Sequence, residues 1–270
     1  MRLHDKVAIV TGAARGIGEG IARCLAAEGA CVAIIDIDGS VAQETASNLG
    51  DGCIGLEADC SEESQMAEVT TLAVERFGGL DIFVNNAGGG RDAESTGIGN
   101  PLTNITQEAW DGQLATNLRT TFVGSKVAMP YLKEREAGSI INIASIAGLS
   151  ANPFLAAYSS AKAGVISLSR SLALELGPYN IRVNVICPGL LWTRVWEMLA
   201  MIIKAGTPQL KDMTPREIFL EQVKRSTPLG REQTPEDIGK LTVFLVSDDA
   251  CNITGQVISV DGGITLKSDR

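Results

Sequence analysis

The stretch AYSSAKAG, residues 157–164, places a phenol one helical turn ahead of an ammonium, with Tyr158 and Lys162 at i, i+4 spacing among small, helix-compatible residues. The chain has only three tyrosines, so this placement asks for a reason. A free tyrosine ionises near pH ~10, and a nearby cation shifts such a group by about 1–3 units toward its charged form. The spacing could therefore make a proton acceptor of a side chain otherwise too weak for the task. Other routes are narrow. The single histidine, His4, precedes the first apolar run, so Ser-His-Asp and Cys-His mechanisms lack a base and a zinc site lacks its usual nitrogen ligand. Cys24, Cys31, Cys53, Cys60, Cys187 and Cys251 are scattered without a CxxC pair and are expected as reduced core residues. No metal site is expected.

Such a pair acts only if the fold positions it. Short, β-branched apolar runs alternate with helix-length segments: KVAIVTG (6–12), CVAIID (31–36), CIGLEAD (53–59), LDIFVNNAG (80–88), SIINIAS (139–145), IRVNVICPG (181–189) and QVISVDGG (256–263). Nearly continuous apolar strands are those of a sheet buried on both faces. The alternation predicts an α/β fold: one Rossmann-type, doubly wound domain over residues 1–270, with a seven-stranded parallel sheet and helices on both faces. Ser61 and Ser64, beside Glu62 and Glu63, are expected to cap a helix start, and Gly29, Gly78 and Gly177 to end helices. Ligands of such sheets bind at the carboxyl ends of the strands, where strand order reverses.

Composition narrows the function classes. The 270 residues are 45% apolar and carry a formal net charge of −9, with both signs interspersed. An acidic chain without a basic stripe gains no counterion-release term on DNA, so no nucleic-acid partner is expected. No run reaches the ~18 apolar residues of a membrane span, and the start MRLHDKVAIVTG lacks an apolar signal region. A cytoplasmic protein with no membrane partner is the expectation.

Motifs at the strand ends suggest a nucleotide. The first strand runs into TGAARGIG, where Gly12, Gly16 and Gly18 would let the backbone approach a diphosphate seated at the next helix's N-terminus, with Arg15 and Ile17 between them. The second strand ends in Asp36, followed by Ile37. A carboxylate there accepts from adenosine ribose hydroxyls and repels a 2′-phosphate, which favours NAD over NADP. Arg15 argues the other way, but Asp38 rather than a cation follows Ile37. Asp59 and Cys60 close the third strand, where a carboxylate could take the adenine amino group. Asn86, Ala87 and Gly88 close the fourth with small side chains.

In this order and spacing, TGAARGIG, Asp36, Asp59, NNAG (85–88), Asn117, Ser145, Tyr158 with Lys162, NVICPGLLWT (184–193), PLGR (228–231) and ITGQVISVDGG (253–263) resemble the short-chain dehydrogenase/reductase family over nearly the whole chain. The resemblance implies hydride transfer between a secondary alcohol and NAD, with Tyr158 as general acid/base. It implies that Lys162 also holds the nicotinamide ribose, Ser145 bonds the substrate oxygen, and Asn117 holds a water that relays the proton. Pro188, Gly189, Leu191 and Thr193 would close over the nicotinamide amide, and the chain would assemble as a homotetramer.

The stretch 194–227 is longer than this family often has there. Trp192, Trp196, Met198, Leu199, Met201, Ile202 and Ile203 could form a substrate lid over about 190–227, or equally a helix packed on the domain or on another subunit. The loop 88–104, with Arg91, Asp92 and Glu94, should border the same cleft. These features suggest a medium-sized secondary alcohol or ketone as small-molecule partner. Two rivals stay open: an NAD(P)H-dependent reductase of 3-oxoacyl thioesters or other carbonyls, and a non-catalytic dinucleotide-binding sensor.

Overall fold

Each apolar run becomes a strand. In the computed structural model, which describes residues 1–89, 97–150 and 153–266, the strands are β1 (Val7–Thr11), β2 (Cys31–Asp36), β3 (Cys53–Glu57), β4 (Ile82–Asn85), β5 (Gly138–Ile143), β6 (Ile181–Pro188) and β7 (Val257–Val260). They form one seven-stranded sheet in the order β3-β2-β1-β4-β5-β6-β7. Every pairing is parallel. Strand order reverses between β1 and β4, so a crevice opens there at the carboxyl edge.

Side-chain alternation splits the core into two layers. Ala8 and Val10 of β1 face one side with Val32, Ile34, Val84 and Ile141. Against them lie Ile21 and Leu25 of α1 (Gly16–Ala27), Ala42 and Ala46 of α2 (Gly39–Leu49), and Ile238 and Val243 of the Pro235–Val246 helix. Ile9 faces the other side with Ala33, Ile35, Phe83 and Ile140, covered by Met66 and Val69 of α3 (Glu63–Phe77), Val123 and Leu132 of Thr120–Glu134, and Leu172 and Leu176 of Ala156–Leu176. Strands buried on both faces explain why these sequences alternate so little.

The remaining helices among the described residues are α4 (Gln107–Leu114), α5 (Thr120–Glu134), α6 (Ala156–Leu176), α7 (Arg194–Gly206), α8 (Pro215–Ser226) and α9 (Pro235–Val246). A π turn over Ala115–Arg119 joins α4 to α5. Gly78 ends α3 in the left-handed conformation as expected, at φ +83°. Gly177 does not. It stays right-handed, the chain adds a 3-10 turn, and Asn180 takes the left-handed position at φ +57°. Ser61 and Ser64 do not cap α3 either: Glu62 holds that place without a side-chain bond, and Ser61 is drawn back to Asp59. Among the cysteines only Cys60 and Cys187 are buried, and Cys251 is exposed. No helix among the described residues is long and apolar enough to cross a membrane.

Candidate active site

The ends of β1 and β4 are latched together. Thr11 Oγ1 accepts from the N–H groups of Asn86 (3.0 Å) and Ala87 (3.1 Å), while Asn86 Nδ2 donates to the carbonyls of Thr11 (3.0 Å) and Gly12 (2.9 Å). The turn that follows needs glycine. Gly12 has φ +60° and a Cβ there would lie 2.8 Å from Ala87 Cα; a Cβ on Gly18 would lie 2.3 Å from Gly12 O. At the start of α1, Arg15 gives no side-chain cap, and the space beside Gly16 is open for 4 Å. A helix N-terminus left free toward a crevice suits an anion.

That crevice, about 310 Å³, is lined by Gly12, Asp36, Ile37, Asp59, Cys60, Asn86, Ala87 and Gly88 among others. Asp36 Oδ2 accepts from Ala14 N–H at 3.1 Å, and Asp59 Oδ1 from Ser61 N–H at 2.9 Å and the Ser61 hydroxyl at 2.7 Å. Burial, reinforced by those two carboxylates, pushes the Cys60 thiol up to about 12. The lining also includes Thr116 and Thr120, which the sequence analysis missed. Their positions beside and one turn beyond Asn117 are the signal that could have found them.

Gly88 joins the crevice to the side chains that could move a proton. A Cβ on it would lie 2.9 Å from Asn117 Oδ1 and 3.2 Å from Lys162 Nζ. Asn117 sits fully buried in the π turn. Its Oδ1 accepts from Gly89 N–H at 2.9 Å, and its Nδ2 donates to Gly89 O (3.1 Å) and Gln113 Oε1 (3.0 Å). The amide side chain thus clamps the chain just after Gly88. Lys162 is 4% exposed and donates to Ile143 O at 3.1 Å. Its Nζ is 5.8 Å from the centre of the Tyr158 ring, so the sequence spacing does bring the pair together. Burial lowers the Lys162 ammonium to about 8.

The expected lowering of the phenol is not found in the free chain. Burial pushes Tyr158 above its usual value, opposed by a hydrogen bond from Ser145. Desolvation acts on both members of the pair, and the Lys162 ammonium, directed at the Ile143 carbonyl, does not offset it. Ser145 also accepts from Ala147 N–H at 3.1 Å, which fixes its position at the end of β5.

A buried polar ladder registers these elements, and it too went unseen in the sequence. Asn85 Nδ2 donates to Ser125 Oγ (3.0 Å) and Asn142 Oδ1 (2.8 Å), and Asn142 Nδ2 to Ser169 Oγ (2.8 Å). It ties β4 and β5 to α5 and to α6, which carries Tyr158 and Lys162. Beyond β6, Gly189 N–H donates to Val260 O at 2.9 Å and Leu191 bridges to Gln233, which holds the segment after Pro188 against β7. Thr193 Oγ1 accepts from Trp196 N–H at 3.5 Å, so this hydroxyl caps α7 rather than standing free. Arg15 turns away to Asp38, at 2.7 Å.

The segment expected as a lid is helical. Val195 on α7 lies beside Gly89 and Ile202 beside Gly99. Trp192 meets Phe219 of α8 at a tilt and Trp196 meets it edge-on, each with ring centres 5.3 Å apart. Arg91, Asp92 and Glu94 lie outside the described residues.

Residues 12–265 match the family described as enoyl-(acyl carrier protein) reductase. The chain is 35% identical to the 3-oxoacyl-acyl-carrier-protein reductase of Thermotoga maritima, over 98% of this chain and 100% of that one. It is 38% identical to galactitol 2-dehydrogenase of Agrobacterium fabrum, over 97% and 98% of the two chains. It belongs to the short-chain dehydrogenase/reductase family. A solved structure with the same fold, the 3-ketoacyl-(acyl-carrier-protein) reductase of Brucella melitensis complexed with NADH, matches with a TM-score of 0.84 at 32% identity, covering 97% of this chain and 99% of that one. As a short-chain dehydrogenase/reductase, the chain is placed among oxidoreductases.

Proposed function

We propose that this short-chain dehydrogenase/reductase interconverts a secondary alcohol and its ketone with NAD. The observation that carries the reading is the junction at Gly88, which lines the crevice and where an added Cβ would meet Asn117 Oδ1 at 2.9 Å and Lys162 Nζ at 3.2 Å. The open α1 terminus and the glycine turn fit a diphosphate, and Asp36 at the crevice wall fits an unphosphorylated ribose. NAD, when bound, supplies the hydride acceptor and a positive ring charge. Around it, Gly12, Arg15, Gly16, Ile17 and Gly18 would flank the diphosphate, Asp36, Ile37, Asp59 and Cys60 the adenosine, and Asn86, Ala87 and Gly88 the nicotinamide ribose. Pro188, Gly189, Leu191 and Thr193 would border the nicotinamide.

In oxidation, Tyr158 takes the hydroxyl proton, Ser145 donates to the substrate oxygen, and Lys162 orients the ribose and favours the phenolate while it remains protonated. Because the free chain holds Tyr158 above its usual value, bringing the phenol into a working range falls to charge added at the crevice. Asn117 is read as the step through which the proton leaves by water. The helix α7 with Trp192, Trp196 and Phe219 serves as an apolar lid for a medium-sized substrate. Exposed Phe122 on α5, Leu174 on α6, and Leu229 and Leu266 near the carboxyl end suit assembly into a homotetramer. The setting is read as cytoplasmic, where NAD is kept largely oxidised and oxidation is the favoured direction.

The names of the matched relatives favour a second reading, reduction of 3-oxoacyl thioesters. One experiment separates them: calorimetric binding of NAD+ and NADP+, followed by a spectrophotometric panel of alcohols with NAD+ and of ketones and 3-oxoacyl thioesters with reduced cofactor. Preference for NAD+ with turnover of an alcohol or simple ketone is expected. Tight NAD+ binding with no turnover across the panel would defeat the proposal in favour of a sensor.

A further inference from the structure

The turns after β1 and β2 together form an anion seat that the chain fills with its own carboxylates. Asp36 Oδ2 accepts from Ala14 N–H at 3.1 Å, and its Oδ1 from Asp38 N–H at 3.2 Å. Beside this carboxylate, Arg15 Nη2 of the first turn reaches Asp38 Oδ2 of the second at 2.7 Å. Asp38 is itself anchored, because its Oδ1 accepts from the Ser40 hydroxyl (2.9 Å) and from Val41 N–H (3.3 Å) at the start of α2. The Arg15 hydrogen bond is the leading reason that its carboxyl lies below the ordinary range. Two backbone N–H groups and a guanidinium are the donors that recognise a phosphate ester. Arg15 is the one basic side chain in the two turns, residues 12–16 and 36–41.

We propose that Asp38 is a second specificity-determining residue: by holding Arg15 in an ion pair, it withdraws the cation that would otherwise meet a 2′-phosphate. The proposal rests on the NAD reading above. Asp36 occupies the backbone donors and repels the phosphate directly. Asp38 removes the countercharge. With both in place, a 2′-phosphate finds two carboxylates and a cation already neutralised. Losing Asp36 alone vacates the N–H groups but leaves the guanidinium committed. This accounts for a loop arginine that points toward phosphate recognition in a chain otherwise suited to an unphosphorylated ribose.

The test is calorimetric binding of NAD+ and NADP+ to the full chain and its variants, read as the ratio of the two affinities. Asp38→Asn keeps a good helix cap while removing the charge. The ratio is expected to move about fivefold toward NADP+, the scale of one exposed ion pair, and the gain should shrink as salt is raised. Adding Arg15→Ala should abolish the gain, which a purely structural role for Asp38 would not predict. In Asp36→Ala/Asp38→Asn the shift should exceed that of Asp36→Ala alone. An unmoved ratio in Asp38→Asn, or a gain that persists without Arg15, overturns the assignment. A wild-type chain that binds NADP+ as tightly as NAD+ instead overturns the cofactor reading itself.

Discussion

The two walls of the crevice are made of different materials. On the β1–β4 wall, shape and donors come from the backbone: the Gly12–Gly18 turn, the open start of α1 and the latch through Thr11 and Asn86. On the β5–α6 wall the groups are side chains whose ionisation burial has displaced: Lys162 down to about 8, Tyr158 up, and Cys187 behind them up to about 11. A backbone wall binds without choosing a protonation state. A wall of desolvated acids and bases holds groups whose protons are easily exchanged once a charge arrives. Substitutions on the two walls should therefore fail in different measurements.

The largest effect belongs to the side-chain wall. Tyr158→Phe should lower turnover by about 10³-fold, within the range of a lost general acid/base, while NAD+ affinity by calorimetry stays within a few-fold. Near-normal turnover would remove Tyr158 as the base.

Lys162 gives the next, through pH. The unfolded chain holds this proton to about 10.5, whereas the folded chain releases it near 8. Between those values the unfolded state binds more protons, so stability rises with pH across that window, by up to about 3 kcal/mol. The raised values of Tyr158, Cys60 and Cys187 act in the opposite sense, because the folded chain then keeps protons the unfolded chain loses. The quantity to measure is thus a difference. Urea midpoints of wild type and Lys162→Met at pH ~7.5 and ~9.5 should show the upward slope only in the wild type, relative to the variant. Parallel pH curves would mean that Lys162 titrates like an exposed lysine.

The smallest effects set two helix starts against each other. Gly18→Val should cost roughly 1–3 kcal/mol, as overpacking does, and appear mainly as lost NAD+ binding, because a Cβ there strikes the Gly12 carbonyl. At the start of α8, Thr214 and Glu217 exchange hydrogen bonds in a complete capping box. Thr214→Ala should cost about 1 kcal/mol of stability in urea melts, with NAD+ affinity unchanged. If both variants lose only stability, the contrast between an open and a capped helix start has no functional meaning.

Strand positions were legible because burial on both faces demands apolar runs, and the turn glycines because only they fit the close approach of β1 to β4. The polar ladder was not legible. Asn142 reads as a flaw in an apolar strand until the parallel register sets it beside Asn85, with Ser125 and Ser169 supplied by helices far along the chain. The cap of α3 was misread for a local reason: Asp59 captures Ser61 before that serine can serve the helix.

What the sequence determined alone is the order of strands and helices and the identity of the groups at the strand ends, since periodicity and glycine chemistry are local. Tertiary structure decided the signs and partners. It decided that Tyr158 is raised rather than lowered, that Lys162 and Asn117 meet at Gly88, and that Arg15 is spent on Asp38. Desolvation and charge pairing depend on what lies across space, and no spacing along the chain records that.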